Sequence, residues 1–251
     1  MLQLALFLIA NLILCSAFAR TVVINGEDDW APYSFASKDY KSVEGLAPQI
    51  VRAAFKAQGV TAVIRPVPFA RCLHEVDQGK AVGCFDTVIS SETKDKFIFH
   101  PTPLFKADIV VYGPLSENPR SFTYKDLEGK TVGITNGYTY PTELITNKKI
   151  IHAPGPTEKS QVEKVANGRI QYAVLWGLTG MHLLKERPDL ALKVKPLGVI
   201  SSTNLYLSFS KKHKDGAKYA DILEKGLGKI IADGTYERIL KDFNARYNLQ
   251  D

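Results

Sequence analysis

The sequence predicts an α/β protein built from two similar lobes, on the strength of three observations. Short apolar runs alternate with segments whose apolar residues recur every three or four positions, as buried strands and amphipathic helices do. Two of the helical segments end in a glycine, Gly59 and Gly79, where a helix commonly stops. The same order of elements begins again after residue 113, which indicates a second lobe.

The first lobe is predicted from alternating strands and helices. In order along the chain these are the strand TVVI, the helix LAPQIVRAAFKAQG, the strand TAVIRPV, the helix FARCLHEVDQG and the strand AVGCFDTVI. Strands that read as continuous apolar runs between helices are typical of a parallel sheet covered on both faces.

The second lobe repeats the pattern, and the chain then returns to the first. Its elements are the strand KTVGIT, a helix start in YTYPTELI, the helix SQVEKVANG, the strand YAVLW and the helix GLTGMHLLKER. The extended segments ADIVVYG and LYLSFS could cross between the lobes, and the helical tail after Lys218 is interrupted at Gly234. We therefore expect residues 20–110 with 204–251 to form the first lobe and residues 111–203 the second.

The first 19 residues are apolar and carry no charge. They end in Ala17-Phe18-Ala19, the small-residue pattern of a signal-peptidase site, so they predict a cleaved signal peptide and an exported protein. Retention of the segment as an N-terminal anchor is the alternative.

Export leaves two cysteines, Cys72 and Cys84, which predict one disulfide, with two buried thiols as the alternative. The five histidines are scattered and no CxxC pair occurs, so no metal site and no cofactor are expected. The net charge of +6 is spread among alternating signs on helices, which favours a solvated surface over a nucleic-acid-binding face.

Candidate binding residues follow the strands, because open α/β sheets hold ligands beyond the carboxyl ends of their strands. Aromatic rings and short polar groups at these ends suit a closed pocket for a small solute. The candidates are Trp30, Tyr33, Phe69, Arg71, Asp86, Thr87, Tyr138, Thr139 and Trp176.

Six segments, in order, resemble the bacterial extracellular solute-binding proteins of the polar amino-acid type, family 3. They are WAPYSF, VEGLAPQIVRAAFKAQG, DQGKAVGCFD, ISSETKDKFIFHPTPLF, DLEGKTVGITNGYTY and ADGTYERILKDF. The resemblance implies a type II periplasmic binding protein fold, with two α/β lobes joined by a two-segment hinge. It also implies a periplasmic monomer that closes on a small solute and presents it to an inner-membrane ABC permease.

The resemblance also suggests roles for individual residues. Trp30 stands where the family often stacks an aromatic ring on the ligand, and Phe69 where an apolar residue lines the pocket. Asp86 and Thr87 match short polar residues at the end of the third strand. Thr139 matches a loop that donates hydrogen bonds to the ligand.

Two positions depart from the family pattern. Thr93 stands where an Arg grips the α-carboxylate, and Trp176 where an Asp takes the α-ammonium. An unpaired charge in a dry cleft costs several kcal/mol, on the order expected for buried ions, so a standard L-amino acid is not expected. Arg71, at a helix start, could replace the missing cation, or could pair with Glu75 on the surface.

Several assignments stay open at this point. Either tryptophan could fill core instead of facing a ligand, and Asp86 could cap a turn. A membrane sensor could replace the permease as partner. An enzyme resembling the dehydratases of this scaffold could use Asp86 or Glu27, but no GxSxG, HExxH or GxGxxG motif occurs and no enzyme is predicted.

Overall fold

The computed structural model describes residues 20–247. Its strands are β1 (Arg20–Glu27), β2 (Asp29–Trp30), β3 (Ser34–Ala36), β4 (Val43–Glu44), β5 (Val60–Val67), β6 (Gly83–Thr87), β7 (Phe97–Ile98), β8 (Phe105–Pro114), β9 (Thr131–Thr135), β10 (Ile151–Gly155), β11 (Tyr172–Trp176) and β12 (Val194–Ser210). Its α-helices are α1 (Leu46–Ala57), α2 (Phe69–Asp77), α3 (Thr142–Thr146), α4 (Glu158–Ala166), α5 (Gly177–Glu186), α6 (Pro188–Ala191), α7 (Gly216–Ala232) and α8 (Thr235–Tyr247). A short 3₁₀ helix spans Tyr124–Leu127.

One curled sheet runs through both lobes. Its strands lie in the order β10-β9-β11-β8-β12-β6-β1-β5, and β7 pairs with β12 off this path. The β1, β5 and β6 pairs are parallel in one lobe, as are the β9, β10 and β11 pairs in the other. The predicted two-lobed α/β fold is confirmed.

The long antiparallel pair β8–β12 joins the two groups of strands. Its register runs from Val194 opposite Pro114 to Leu205 opposite Phe105. The predicted segments ADIVVYG and LYLSFS lie within these strands, but β12 begins at Val194, well before LYLSFS. The connection between the lobes is therefore longer than the sequence indicates.

The helical tail packs on the lobe that contains the chain's first strands. Helix α7 lies against α1 at a point where a Cβ on Gly226 would stand 2.1 Å from the Ala54 carbonyl oxygen. Glycine therefore permits a helix–helix approach that any larger residue would block. The predicted helix ends at Gly59 and Gly79 are confirmed, with φ of +69° and +74°.

The prediction of a sheet covered on both faces is wrong at one edge. Buried and exposed residues alternate along most of β5, and Val63 is exposed beside exposed Val23 of β1. An edge strand covered on one face explains this alternation.

Candidate functional site

Three acidic side chains lie buried where the two lobes meet. Glu27 ends β1, Asp86 is the penultimate residue of β6, and Glu158 is the first residue of α4. None is more than 5% exposed. The negative charges of Asp86 and Glu158 both act on Glu27, which places the three carboxyls in one region.

These carboxyls are only partly satisfied by the protein. The Tyr138 hydroxyl donates to Glu27, and the Trp176 backbone N–H donates to one oxygen of Glu158 at 3.0 Å. Within residues 20–247, the second Glu158 oxygen and both Asp86 oxygens are buried without a hydrogen-bond partner. Since a buried oxygen left unpaired costs about 1–3 kcal/mol, these atoms are strong acceptors for a solute.

Burial shifts all three carboxyls toward their neutral form. It raises the pKa of Glu158 to about 8, against the opposing effect of the Trp176 N–H. It raises the pKa of Asp86 and of Glu27 well above the usual range, and at Glu27 the neighbouring acids add to the rise. No Lys, Arg or His of the described chain is ion-paired with them. A cation beside them would favour their charged form.

The two tryptophans meet across the lobes. Trp30 and Trp176 pack edge to face with ring centroids 5.4 Å apart, and both are buried. Trp30 also stacks on Tyr33 at 4.4 Å, and Tyr33 stacks on Phe105 at 5.2 Å. Tyr33 therefore lies in an aromatic stack that reaches the hinge strand β8, and Trp30 and Trp176 lie at the interface between the lobes.

Further contacts hold the lobes together around the acids. Phe69 packs edge to face on Tyr138 at 5.6 Å. The Val88 N–H donates to the Thr139 hydroxyl at 3.0 Å, across the lobes. A parallel bond joins the Ser91 N–H to the Thr142 hydroxyl at 3.2 Å. The structure thus shows the lobes in a closed arrangement, and it brings Phe69, Tyr138 and Thr139 to the interface between them.

The predicted binding residue Thr87 and the departing position Thr93 both make hydrogen bonds within the first lobe. Thr87 is buried, and its hydroxyl lies 2.9 Å from the Ser208 hydroxyl, so its assignment to the ligand stays a prediction. The Thr93 hydroxyl donates to the Val88 carbonyl at 2.7 Å and accepts from the Ser90 N–H at 2.8 Å. Thr93 therefore stabilises the turn after β6, where the family pattern has a ligand-binding Arg.

Arg71 lies outside the cluster of buried acids. Its side chain is exposed, and its charge acts on Tyr40, which is also exposed. No ion pair joins Arg71 to Glu75 in the described chain, and the Glu75 carboxylate accepts from the Asn25 side-chain amide at 2.8 Å. The role of Arg71 as the cation that replaces the missing Arg stays a prediction.

Glu158 is the functional candidate that sequence reasoning missed. It follows Thr157, whose hydroxyl caps α4 by accepting from the Ser160 N–H at 3.1 Å. In the sequence, the Glu158 carboxylate is therefore explained as an acidic side chain that stabilises the first turn of a helix. One signal could have indicated more. Glu158 begins a helix directly after strand β10, whose carboxyl end lies at the same sheet edge as the other candidates.

A disulfide supports the first-lobe side of the site. The structure joins Cys72 of α2 to Cys84 of β6, the predicted pair, with a Cα–Cα separation of 5.7 Å. The bridge therefore links the helix that begins at Phe69 with the strand that carries Asp86.

Replacing both cysteines by serine is expected to lower the free energy of unfolding by about 2–4 kcal/mol, because the loss of a short-loop crosslink frees the unfolded chain. Urea denaturation of the oxidised wild type and the double variant measures this. Reduced wild type should unfold like the variant, and equal midpoints for all three would contradict a stabilising bridge.

Comparison with known proteins places the chain in a family. The family described as bacterial extracellular solute-binding proteins, family 3, matches residues 22–245. The chain belongs to this family. A search of curated proteins gives no significant match.

Solved structures share the fold of this family 3 protein. An ancestral arginine-binding protein bound to arginine is 20% identical with a TM-score of 0.73, and the match covers 89% of this chain and 97% of that one. A histidine kinase sensor domain with similarity to periplasmic binding proteins is 20% identical with a TM-score of 0.74, over 89% and 96% of the two chains. An amino acid ABC transporter substrate-binding protein from Streptococcus pneumoniae, bound to L-arginine, is 17% identical with a TM-score of 0.70, over 92% and 97%.

Residues 20–247 contain no helix that is both long and apolar enough to cross a membrane. The predicted signal peptide lies outside the described residues.

Proposed function

We propose that this family 3 protein is a periplasmic solute-binding protein that captures a small polar or aromatic solute by lobe closure, for uptake through an ABC permease. One observation carries the proposal. Buried carboxyl oxygens without partners and two tryptophan rings come together where the lobes meet. A solute that contacts both lobes stabilises the closed form over the open one.

The division of the chain follows from the same proposal. Residues 20–110 with 204–251 form one lobe and residues 111–203 the other, with β8 and β12 as the connection. Asp86 and Glu27 then belong to the first lobe and Glu158 to the second. The protein acts as an exported monomer, with residues 1–19 as its signal peptide.

A receptor role is the second candidate. Its support is the likeness to a histidine kinase sensor domain, which shares the fold at a TM-score of 0.74. Transport and sensing use the same closure, so the neighbouring genes separate them. Permease and ATPase genes favour uptake, and a sensor kinase gene favours signalling.

Binding without turnover distinguishes this proposal from an enzyme on the same scaffold. The buried acids Asp86 and Glu27 could serve as acid or base, but a solute-binding protein should return each bound solute unchanged. Mass spectrometry of the solute after prolonged incubation tests this, and a new product that disappears in the Asp86→Asn variant would favour an enzyme.

Trp30→Ala is expected to weaken solute binding about tenfold or more. The Trp30 ring belongs to the aromatic stack with Tyr33 and also contacts Trp176 of the other lobe. Calorimetric titration measures the affinity, and small-angle scattering with and without solute reports the compaction. The exposed Arg169→Ala serves as the control and should bind as wild type does. If Trp30→Ala binds the solute as tightly as Arg169→Ala and the wild type do, the binding site lies away from Trp30.

A further inference from the structure

The charge of the interface between the lobes narrows the class of solute. We propose that the cleft binds a small organic cation that carries no carboxylate, an aliphatic amine or guanidine whose N–H groups bridge Glu27, Asp86 and Glu158. This inference rests on the proposed solute-binding function and names the solute class of the same site.

The first support is a set of buried acids on both sides of the cleft that no cation of the described chain pairs with. Asp86 and Glu27 approach from the first lobe and Glu158 from the second, and each is buried. The candidate cation Arg71 is exposed, and the charged groups that act on Glu27 and Glu158 are other acids. An organic cation supplies both the missing charge and the donors that the unpaired oxygens lack.

A cavity on the Glu158 side of the site gives a second, independent observation, although Glu27 and Asp86 do not line it. Its volume is about 210 Å³, and residues of both lobes line it, among them Asp29, Glu158 and Thr179. Thr179 is 8% exposed, and its hydroxyl has no hydrogen-bond partner in the described part of the chain. Lys159 and His182 also line the cavity, and the charge of Lys159 lowers the pKa of Asp29 while burial raises it.

The aromatic residues suit the same class of solute. Trp30 and Trp176 meet edge to face beside Glu158, whose carboxylate accepts a hydrogen bond from the Trp176 backbone N–H. A desolvated ammonium or guanidinium group is attracted to such ring faces. Rings and acids at one place therefore favour a cation over a neutral sugar or an anion.

A bare metal ion fits this arrangement less well than an organic cation. Between residues 20 and 247, no group of three His, Cys, Asp or Glu side chains is placed to hold a metal ion. Glu27, Asp86 and Glu158 therefore do not converge on one point that a single ion could occupy. An extended solute with several N–H donors can reach acceptors that are spaced in this way, whereas one ion cannot.

A carboxylate on the solute would be unfavourable here. The residue at the family's Arg position is Thr93, and its hydroxyl is already used by Val88 and Ser90. A solute carboxylate would lie near three acids that have no ion-paired Lys, Arg or His in the described chain, and the charge of Lys159 in the neighbouring cavity acts on Asp29. Decarboxylated amines should therefore bind better than the amino acids from which they derive.

Two matched pairs of solutes test this inference. Calorimetric titrations of the mature protein use agmatine against L-arginine, and cadaverine against L-lysine, at one pH and ionic strength. Within each pair only the carboxylate differs. We expect at least one amine to bind and to do so about tenfold or more tighter than its amino acid, because the carboxylate would be buried unpaired.

Glutamine and glutamate are titrated as well, as solutes with a neutral and an acidic side chain. Small-angle scattering with each solute reports whether the protein becomes more compact. If L-arginine or L-lysine binds as tightly as its amine, the inference is wrong and the solute-binding function stands. The same holds if only glutamine or glutamate compacts the protein. If no solute of a broad metabolite panel binds or compacts it, the proposed function itself fails.

Discussion

The Glu158→Gln variant is expected to bind agmatine roughly 30- to 4,000-fold more weakly than the wild type. Removing one charge from a buried, hydrogen-bonded ion pair costs about 2 to 5 kcal/mol, and each 1.4 kcal/mol is tenfold in affinity. Gln keeps the shape of the side chain and an oxygen that can accept the Trp176 N–H. The loss should therefore report the charge and not a change of fold.

The Glu163→Gln variant is the matched control. Glu163 lies on the same helix, α4, but pairs with Arg187 at 3.2 Å and not with the cleft. It should bind agmatine as the wild type does. Calorimetry gives both affinities, and urea denaturation confirms that both variants unfold cooperatively. An affinity of Glu158→Gln within threefold of the control would remove Glu158 from the site.

The ligand-free protein is expected to lose stability as the pH rises from about 5 to 8. Glu158 has its pKa raised by burial from 4.5 to about 8, so the folded state holds a proton that the unfolded state has released. The resulting stabilisation is fully present below pH 4.5 and is lost as the pH rises through the folded pKa. Each such proton changes the unfolding free energy by about 1.4 kcal/mol per pH unit.

The rise in the pKa of Glu158 limits the contribution of this residue to the loss of unfolding free energy to roughly 5 kcal/mol. Opening of the lobes hydrates the carboxyl and reduces the loss. Glu27 and Asp86 act in the same direction, since burial raises the pKa of both. Further titratable groups face this region. They are Asp29, Tyr33, Tyr112, Tyr138, Tyr140 and Lys159.

Urea denaturation at a series of pH values measures the effect. Glu158→Gln should make the slope of unfolding free energy against pH less steep, by the amount that corresponds to about one proton. Glu163→Gln should leave this slope unchanged. Stability that is constant or increases between pH 5 and 8, with the same profile in Glu158→Gln, would contradict burial of an unpaired acid at this position.

Much of the fold could be predicted from local patterns. Apolar runs and helix-ending glycines such as Gly59 identify helices and strands whose formation depends mainly on residues close by in the sequence. The start of β12 could not be predicted in this way, because its exposed and half-buried residues show no regular alternation. Its pairing with β8 depends on chain about 80 residues away.

Only part of the candidate site could be predicted from the sequence, for a similar reason. The sequence predicts Trp30 and Asp86 near strand ends, and the structure has Trp30 at the end of β2 and Asp86 next to the end of β6, while their contact with a solute stays a proposal. Glu158 looked like a helix-start acid, and only tertiary structure shows that its second oxygen is buried without a partner. Arg71 has the right chemistry for an anion, but nothing in the sequence shows that its side chain is exposed.

Proton exchange on binding tests the central claim most directly. Agmatine is titrated into the mature protein at pH 7 in two buffers that differ in ionisation enthalpy. If the cation is held by Glu27, Asp86 and Glu158, their pKa values fall on binding and protons are released to the buffer. Binding of agmatine with no proton release, or with proton uptake, would contradict the account.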